Sequence, residues 1–259
     1  MINNSNTNYN INYNLEFKKL VSSLDHKPKL LLHVCCAPCA TYCLTRVLPY
    51  FDVTLYYSNN NITDFDEWQR RLDYVFALAN LVNSGGYNFF EDKYLIEKAD
   101  PYKTNVILQS VPSPKTNNVI DFCPLKVEVS PFSSEKYYFL VQGLENEKEG
   151  GARCTECFKM RLCDSFDFAF LNGFDFVGTT LTVSPYKNSK LLNEIGLQLQ
   201  QTYKEKILST NTQSTQTNYP LWLPSDFKKE NGYNKSIQIC SKLNIYRQHF
   251  CGCEFSKTV

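Results

Sequence analysis

The run Lys29–Val34 (Lys-Leu-Leu-Leu-His-Val) is short, apolar and ends directly on Cys35-Cys36. A run of that length reads as a buried strand. Thr41–Leu48 then reads as a helix, and Asp52–Tyr57, β-rich and alternating, as a second strand. Asp64 is placed to cap a further helix, with Phe65, Trp68, Leu72, Val75, Phe76 and Ala79 recurring at helical spacing until Gly85-Gly86 stops it. Tyr87–Phe90 is a candidate third strand. A helix from Arg153 carries Met160, Cys163, Phe166 and Phe170 and ends at Gly173. The strand Phe174–Leu181, a helix over Ser189–Tyr203 and a final helix over Asn234–Leu243 follow. Another helix, Leu15–Leu24, precedes them all. Strands alternating with helices predict an α/β fold, a parallel sheet with helices on both faces. Ligands of such sheets bind beyond the carboxyl ends of the strands, where Cys35 and Cys36 lie.

At 259 residues and 43% hydrophobic, the chain suits one α/β domain. We expect that domain over 15–259, after an Asn-rich, disordered stretch at 1–14 with seven asparagines. Residues 101–135 carry five prolines and little periodicity and read as loop, and Lys204–Tyr219 is rich in Ser, Thr, Gln and Asn. Insertions are therefore expected near 103–140 and 204–219. A formal charge of +1 offers no bulk attraction for nucleic acid, so any such site must be a local patch. No signal-peptide pattern opens the chain and no apolar run approaches a membrane span, which points to a reducing, cytoplasmic setting.

In that setting the eleven cysteines suggest metal or catalysis. Cys35, Cys36 and Cys39 fall where a strand meets a helix N-terminus, a place that favours thiolate. Any one of them also suits a small buried apolar site. The pair Cys154-x-x-Cys157 opens a helix, so its sulfurs can face one point. Cys35 and Cys36 with this pair supply four thiolates, enough for a 4Fe–4S cluster or for a structural zinc site. Cys251-Gly252-Cys253 is a tight turn suited to dithiol exchange, or to structural or ligating use. Cys43, Cys123, Cys163 and Cys240 belong to no cluster and are expected in the core.

Longer strings carry a resemblance: LLLHVCCAPC at 30–39, EWQRRL at 67–72, GGARCTECFKMRL at 150–162, TTLTVSPYK at 179–187, SDFKKENGYNKS at 225–236 and IYRQHFCGCEFS at 245–256. In these motifs and their order the chain resembles the cobalamin-independent epoxyqueuosine reductases, the QueH family. The resemblance implies a HUP-type (adenine nucleotide alpha-hydrolase-like) fold, with a cysteine loop where relatives bind ATP phosphates. It implies a 4Fe–4S cluster on Cys35, Cys36, Cys154 and Cys157, and leaves room for an additional iron ion. It also implies a redox-active pair at Cys251 and Cys253. No ATP and no cobalamin are expected. The implied substrate is epoxyqueuosine at the wobble position of a tRNA with a GUN anticodon; the implied partner is an electron donor of unknown identity.

Reduction of that epoxide needs a proton donor, for which Asp226, Tyr186 and Tyr246 are candidates from the matching strings. His33 and His249 flank the cysteines and are expected mainly to pack. The local basic groups are Arg70, Arg71, Lys187, Lys190, Lys228, Lys229 and Arg247. Lys187, Lys228 and Lys229 are the candidate phosphate contacts. Two other readings remain: a cluster-dependent tRNA sulfur transferase, which calls for a Gly-rich phosphate loop not found after the first strand, and a zinc-stabilised tRNA-binding module.

Overall fold

The structure, a computed structural model, describes residues 11–84, 123–209 and 218–257. Five parallel strands form one sheet: β1 Lys29–His33, β2 Asp52–Tyr57, β3 Lys126–Val129, β4 Phe176–Thr179 and β5 Leu221–Trp222, in the order β3-β2-β1-β4-β5. The helices are α1 Tyr13–Ser22, α2 Ala37–Val47, α3 Phe65–Asn83, α4 Glu135–Val141, α5 Ala152–Leu171, α6 Ser189–Ser209 and α7 Gly232–Lys242. The α/β parallel sheet expected from the sequence is present.

β1 is central, paired with β2 from Lys29↔Asp52 to His33↔Tyr56 and with β4 from Leu30↔Phe176 to His33↔Thr179. Its unbroken Leu-Leu-Leu follows from burial on both faces. Successive strand side chains point to opposite sides. Leu30 and Leu32 therefore join a core with Phe17, Leu44, Val75 and Phe227, while Leu31 joins Phe158, Phe166, Leu192 and Trp222. All three leucines are fully buried, worth about 1.5–3 kcal/mol each. The chain leaves β1 toward β2 and returns on the other side at β4. That reversal opens a crevice at the carboxyl ends of β1 and β4. Cys35-Cys36 enters it from β1, and a 3₁₀ turn, Thr180–Val183, enters it from β4.

Several boundaries differ from the sequence expectation. Tyr13 and Asn14, expected in a disordered stretch, belong to α1: Asn12 caps the helix by accepting from Leu15 N, and the Tyr13 ring is buried. The loop expected through residue 135 contains β3, an edge strand with partly buried Val127 and Val129 between outward Lys126 and Glu128. Asn83 fixes its start, accepting from Leu125 N (2.7 Å) and donating to Leu125 O (3.0 Å). α6 continues to Ser209, past the expected end at Tyr203. Asp64 caps α3 as expected, accepting from the Asp66 and Glu67 amides. The expected Gly85-Gly86 stop and the Tyr87–Phe90 strand lie outside the described residues, as do 103–122 and 210–217 of the two expected insertions.

Candidate metal centre and active-site cavity

β1 ends at His33, and Cys36 caps α2 in extended backbone (φ −174°, ψ 159°) with Pro38 in the first helical turn. The next turn brings Cys39 back over Cys36. Cys36 Sγ lies 3.1 Å from Cys39 Sγ and 3.7 Å from Cys35 Sγ. The three sulfurs lie within 4.8 Å of one another, a set that can hold a metal ion. Gln248 Nε2 donates to Cys36 Sγ at 2.9 Å. Hydrogen bonds from Cys36 and Cys39, aided by the charges of Arg161 and Lys187, hold the Cys35 thiol well below its usual range. Burial pushes Cys36 up to about 12, and sharing with Cys35 and Cys36 pushes Cys39 up. One thiolate thus forms readily, while burial and the neighbouring thiols resist the next, a resistance that a bound cation offsets.

The second cysteine pair begins α5. Gly150 N donates to Cys154 Sγ at 3.2 Å, and Arg153 fixes the approach by donating to Glu145 O (2.7 Å) and Leu144 O (3.3 Å). Cys154 packs against the apolar cluster that contains Cys35, Cys36 and Phe158, but neither it nor Cys157 belongs to the set of three sulfurs within 4.8 Å of one another. Cys157 is buried with Tyr137, Val141, Met160 and Cys253, and burial pushes its thiol up to about 12. Arg161 follows one turn later.

Residues 245–257 close the site. Gly252 has φ +113°, and a Cβ there would meet Ile62 Cγ1 at 2.8 Å and Arg71 Nη1 at 3.1 Å, so the turn between Cys251 and Cys253 requires glycine. The EWQRRL string holds this turn. Arg71, 2% exposed, donates from Nη1 to Cys251 O (3.0 Å), from Nη2 to Phe250 O (3.2 Å) and from Nε to Glu67 Oε1 (2.7 Å). Tyr246 OH donates to Glu67 Oε2 at 3.2 Å. Arg71, counted above among the surface basic groups, is therefore a buried clamp. Arg70 stacks on the Tyr246 ring at 5.3 Å. Tyr246, a proton-donor candidate, is engaged with Glu67.

A cavity of about 350 Å³ opens beside these groups, lined among others by Cys35, Cys39, Cys251, Arg161, Lys187, Tyr186, Tyr233, Arg247 and His249. The Tyr186 ring is 74% exposed at its edge, and Arg247 lies 5.9 Å over the Tyr233 ring. Under the cysteine loop, His33 Nδ1 pairs with Thr179 Oγ1 (2.9 Å), and its Nε2 accepts from Arg161 Nε (3.3 Å). Burial and the Arg161 charge push the His33 imidazole down to about 3, so it is neutral.

Asp226 is not among the cavity-lining residues. Its Oδ1 faces Lys228 Nζ at 3.6 Å, and that ammonium donates to Lys187 O at 3.0 Å. Lys228 is thus half-buried and engaged, Lys229 is exposed, Lys190 faces Glu194 at 3.8 Å, and Lys187 turns into the cavity. Cys43 and Cys240 are core residues as expected, whereas Cys163 is half-buried and Cys123 is exposed.

The ligand set implied by the resemblance does not include Cys39, whose sulfur lies beside those of Cys35 and Cys36, and sequence reasoning missed Arg161, Glu67 and Gln248. Helical phase carried two of these. Cys154, Cys157 and Arg161 share one face of α5, and Glu67 and Arg71 are four apart on α3.

The family model described as "Epoxyqueuosine reductase QueH" matches residues 30–110 and 113–259. The chain is 33% identical over 256 residues to the epoxyqueuosine reductase QueH of Streptococcus pyogenes serotype M1, covering 98% of this chain and 81% of that protein. It is 34% identical over 253 residues to that of Staphylococcus epidermidis (96% and 86% covered). It is 25% identical over 230 residues to that of Thermotoga maritima (88% and 89% covered).

Proposed function

This chain belongs to the epoxyqueuosine reductase QueH family and is an oxidoreductase, and from that premise we propose that its cysteine-lined cavity reduces the epoxide of epoxyqueuosine in tRNA to the alkene of queuosine. The reaction takes two electrons and two protons and releases the epoxide oxygen as water. The observation that carries this reading is the meeting of Cys35, Cys36 and Cys39 with Cys251 at the carboxyl end of β1, around one cavity.

The donors fit an iron–sulfur group: they are soft thiols, they are largely buried, and a buried cation, Arg161, lies beside them. We assign Cys35, Cys36, Cys154 and Cys157 as ligands of a 4Fe–4S cluster, which supplies one-electron transfer when bound. Cys39 is placed to carry an additional iron ion. Cys251 and Cys253 flank a glycine turn and act as the dithiol that exchanges electron pairs with an external donor.

The remaining residues bind and orient. An unpaired wobble base can be splayed out, and Tyr186 offers an exposed ring at the cavity edge for stacking. Tyr186 and His249 line the cavity and are placed to protonate the leaving oxygen. Asp226 acts at one remove, holding Lys228 and through it the Lys187 backbone. Lys229 and Lys190 present their ammonium groups outward for tRNA phosphates, with a GUN anticodon as the substrate. No helix among the described residues is long and apolar enough to cross a membrane. We place the reaction in the cytoplasm.

The test is anoxic turnover of epoxyqueuosine-containing tRNA by iron-replete protein with dithionite, read by nucleoside mass spectrometry. Loss of one oxygen, abolished by Cys154→Ala, is the expected outcome. No conversion by cluster-containing protein, beside an active control reductase, would refute the assignment.

A further inference from the structure

Arg161 is 1% exposed. Its Nη2 donates to Asn59 Oδ1 at 2.5 Å and its Nε to His33 Nε2 at 3.3 Å. Both acceptors are neutral. Among the described residues no carboxylate forms an ion pair with Arg161. A buried guanidinium without counter-charge is strongly disfavoured. Arg161 lines the cavity together with Cys35, Cys39 and Cys251; burial works against its charge, and the thiol groups of Cys157, Cys35 and Cys251 favour it.

Lys187 repeats the pattern in the same cavity. It lines the cavity, has no carboxylate partner among the described residues, and its charge is favoured by Cys251, Cys35 and Cys39. The two cations are close enough to oppose each other. The other cavity arginines are engaged elsewhere, Arg71 with Glu67 and Arg247 over the Tyr233 ring. Glu149 also lines the cavity, but neither cation forms an ion pair with it. Two like charges unpaired by carboxylates among the described residues, sharing a cavity wall with Cys35, Cys39 and Cys251, suit an anionic metal–thiolate centre better than they suit the bare polypeptide.

We propose that Arg161 and Lys187 are the counter-charge of the metal–thiolate centre, positioning residues that favour its reduced form. The inference rests on the centre assigned above. Adding an electron to a thiolate-ligated cluster adds negative charge, and nearby cations in a poorly solvated cavity lower the free energy of that state. Asn59 fixes the guanidinium: its Nδ2 donates to Val34 O at 3.0 Å, so the cation and the cysteine loop move as one unit.

The experiment is a mediated spectroelectrochemical titration of the full chain, reconstituted anoxically with iron and sulfide. The proteins are the parent, Arg161→Met, Arg161→Lys, Lys187→Met and, as an exposed control on β3, Lys126→Met. In Arg161→Met and in Lys187→Met the cluster becomes about tenfold harder to reduce, a negative shift of about 59 mV for one electron. Arg161→Lys and Lys126→Met stay near the parent. Should Arg161→Met fail to fold, Lys187→Met decides, because its half-buried side chain can be lost without opening the core. Unchanged potentials in variants that keep their iron would overturn the counter-charge role alone. A parent protein that takes up no iron would overturn the assigned centre, and this inference with it.

Discussion

Replacing Arg71 by methionine tests whether the α3 clamp is a structural element of the site. Methionine keeps much of the apolar stem and removes the guanidinium. The side chains of Arg71 and Glu67 are 1% and 7% exposed, and the Nε–Oε1 contact is 2.7 Å. The variant therefore leaves a buried carboxylate with Tyr246 OH as its side-chain hydrogen-bond donor and, as its remaining cation, the exposed Arg70 at 3.8 Å, and it strips the donors from Phe250 O and Cys251 O. Breaking one side of a buried pair costs about 3–5 kcal/mol. For a chain of this size that corresponds to a fall in Tm of roughly 6–20 °C. The double variant Glu67→Gln/Arg71→Met removes the stranded charge, and an amide at position 67 still accepts from Tyr246. It should recover at least about 1 kcal/mol relative to Arg71→Met. Urea unfolding of metal-depleted protein measures both without ligand linkage. Limited proteolysis should nick the single variant within residues 245–257 and spare the parent. A loss below about 1 kcal/mol for Arg71→Met, or a double variant less stable than the single, would refute the clamp.

Two further expectations follow from packing and charge. Glu230 binds Lys18, Arg46 (2.5 Å) and Asn14 (3.1 Å), and these hydrogen bonds, that from Lys18 first, hold its carboxyl down at about 2. Because the folded value lies below the ordinary one of 4.5, the stabilisation is complete above that pH and is lost as pH falls toward 2. The carboxylate is 36% exposed, so after solvent screening Glu230→Gln should cost about 1 kcal/mol at pH 7. Urea midpoints of variant and parent should converge as pH falls toward 2, and a gap that widens on acidification would contradict this. Alanine for glycine inside a helix ordinarily stabilises by about 1 kcal/mol. At Gly196, however, the added Cβ would meet the Trp222 ring at 2.1 Å, so Gly196→Ala should instead destabilise by about 1–3 kcal/mol; any rise in Tm would count against the packing described.

The strongest sequence signals were local. Leu30–Leu32 sits in a doubly buried strand, and each cysteine set occupies one turn, so composition and spacing sufficed. β3 and β5 were missed because four and two residues are too few for a period to emerge. β5 is Leu221-Trp222, recognisable only once Trp222 Nε1 is seen to donate to Asn193 Oδ1 at 3.0 Å. Arg70 and Arg71 are chemically identical and adjacent, and only helix phase sends one outward and the other under the Cys251 turn. Lys187 reads as a surface lysine until the turn after β4 points it inward. Asp226 had the chemistry of a proton donor, but its Lys228 contact and its place outside the cavity depend on long-range folding.

The clamp on residues 250 and 251 also has a temporal side. During synthesis Cys35, Cys36 and Cys39 emerge first, then Cys154 and Cys157, and Cys251 follows roughly a hundred residues later, on the order of 5–20 s of elongation. Until Phe250 docks on Arg71, the wall that Gln248 and Cys251 supply is missing and the earlier thiols face solvent. The nascent chain thus has a period of open access in which iron can be delivered to it, and in which oxidants can reach the same sulfurs. Docking of the last segment ends both.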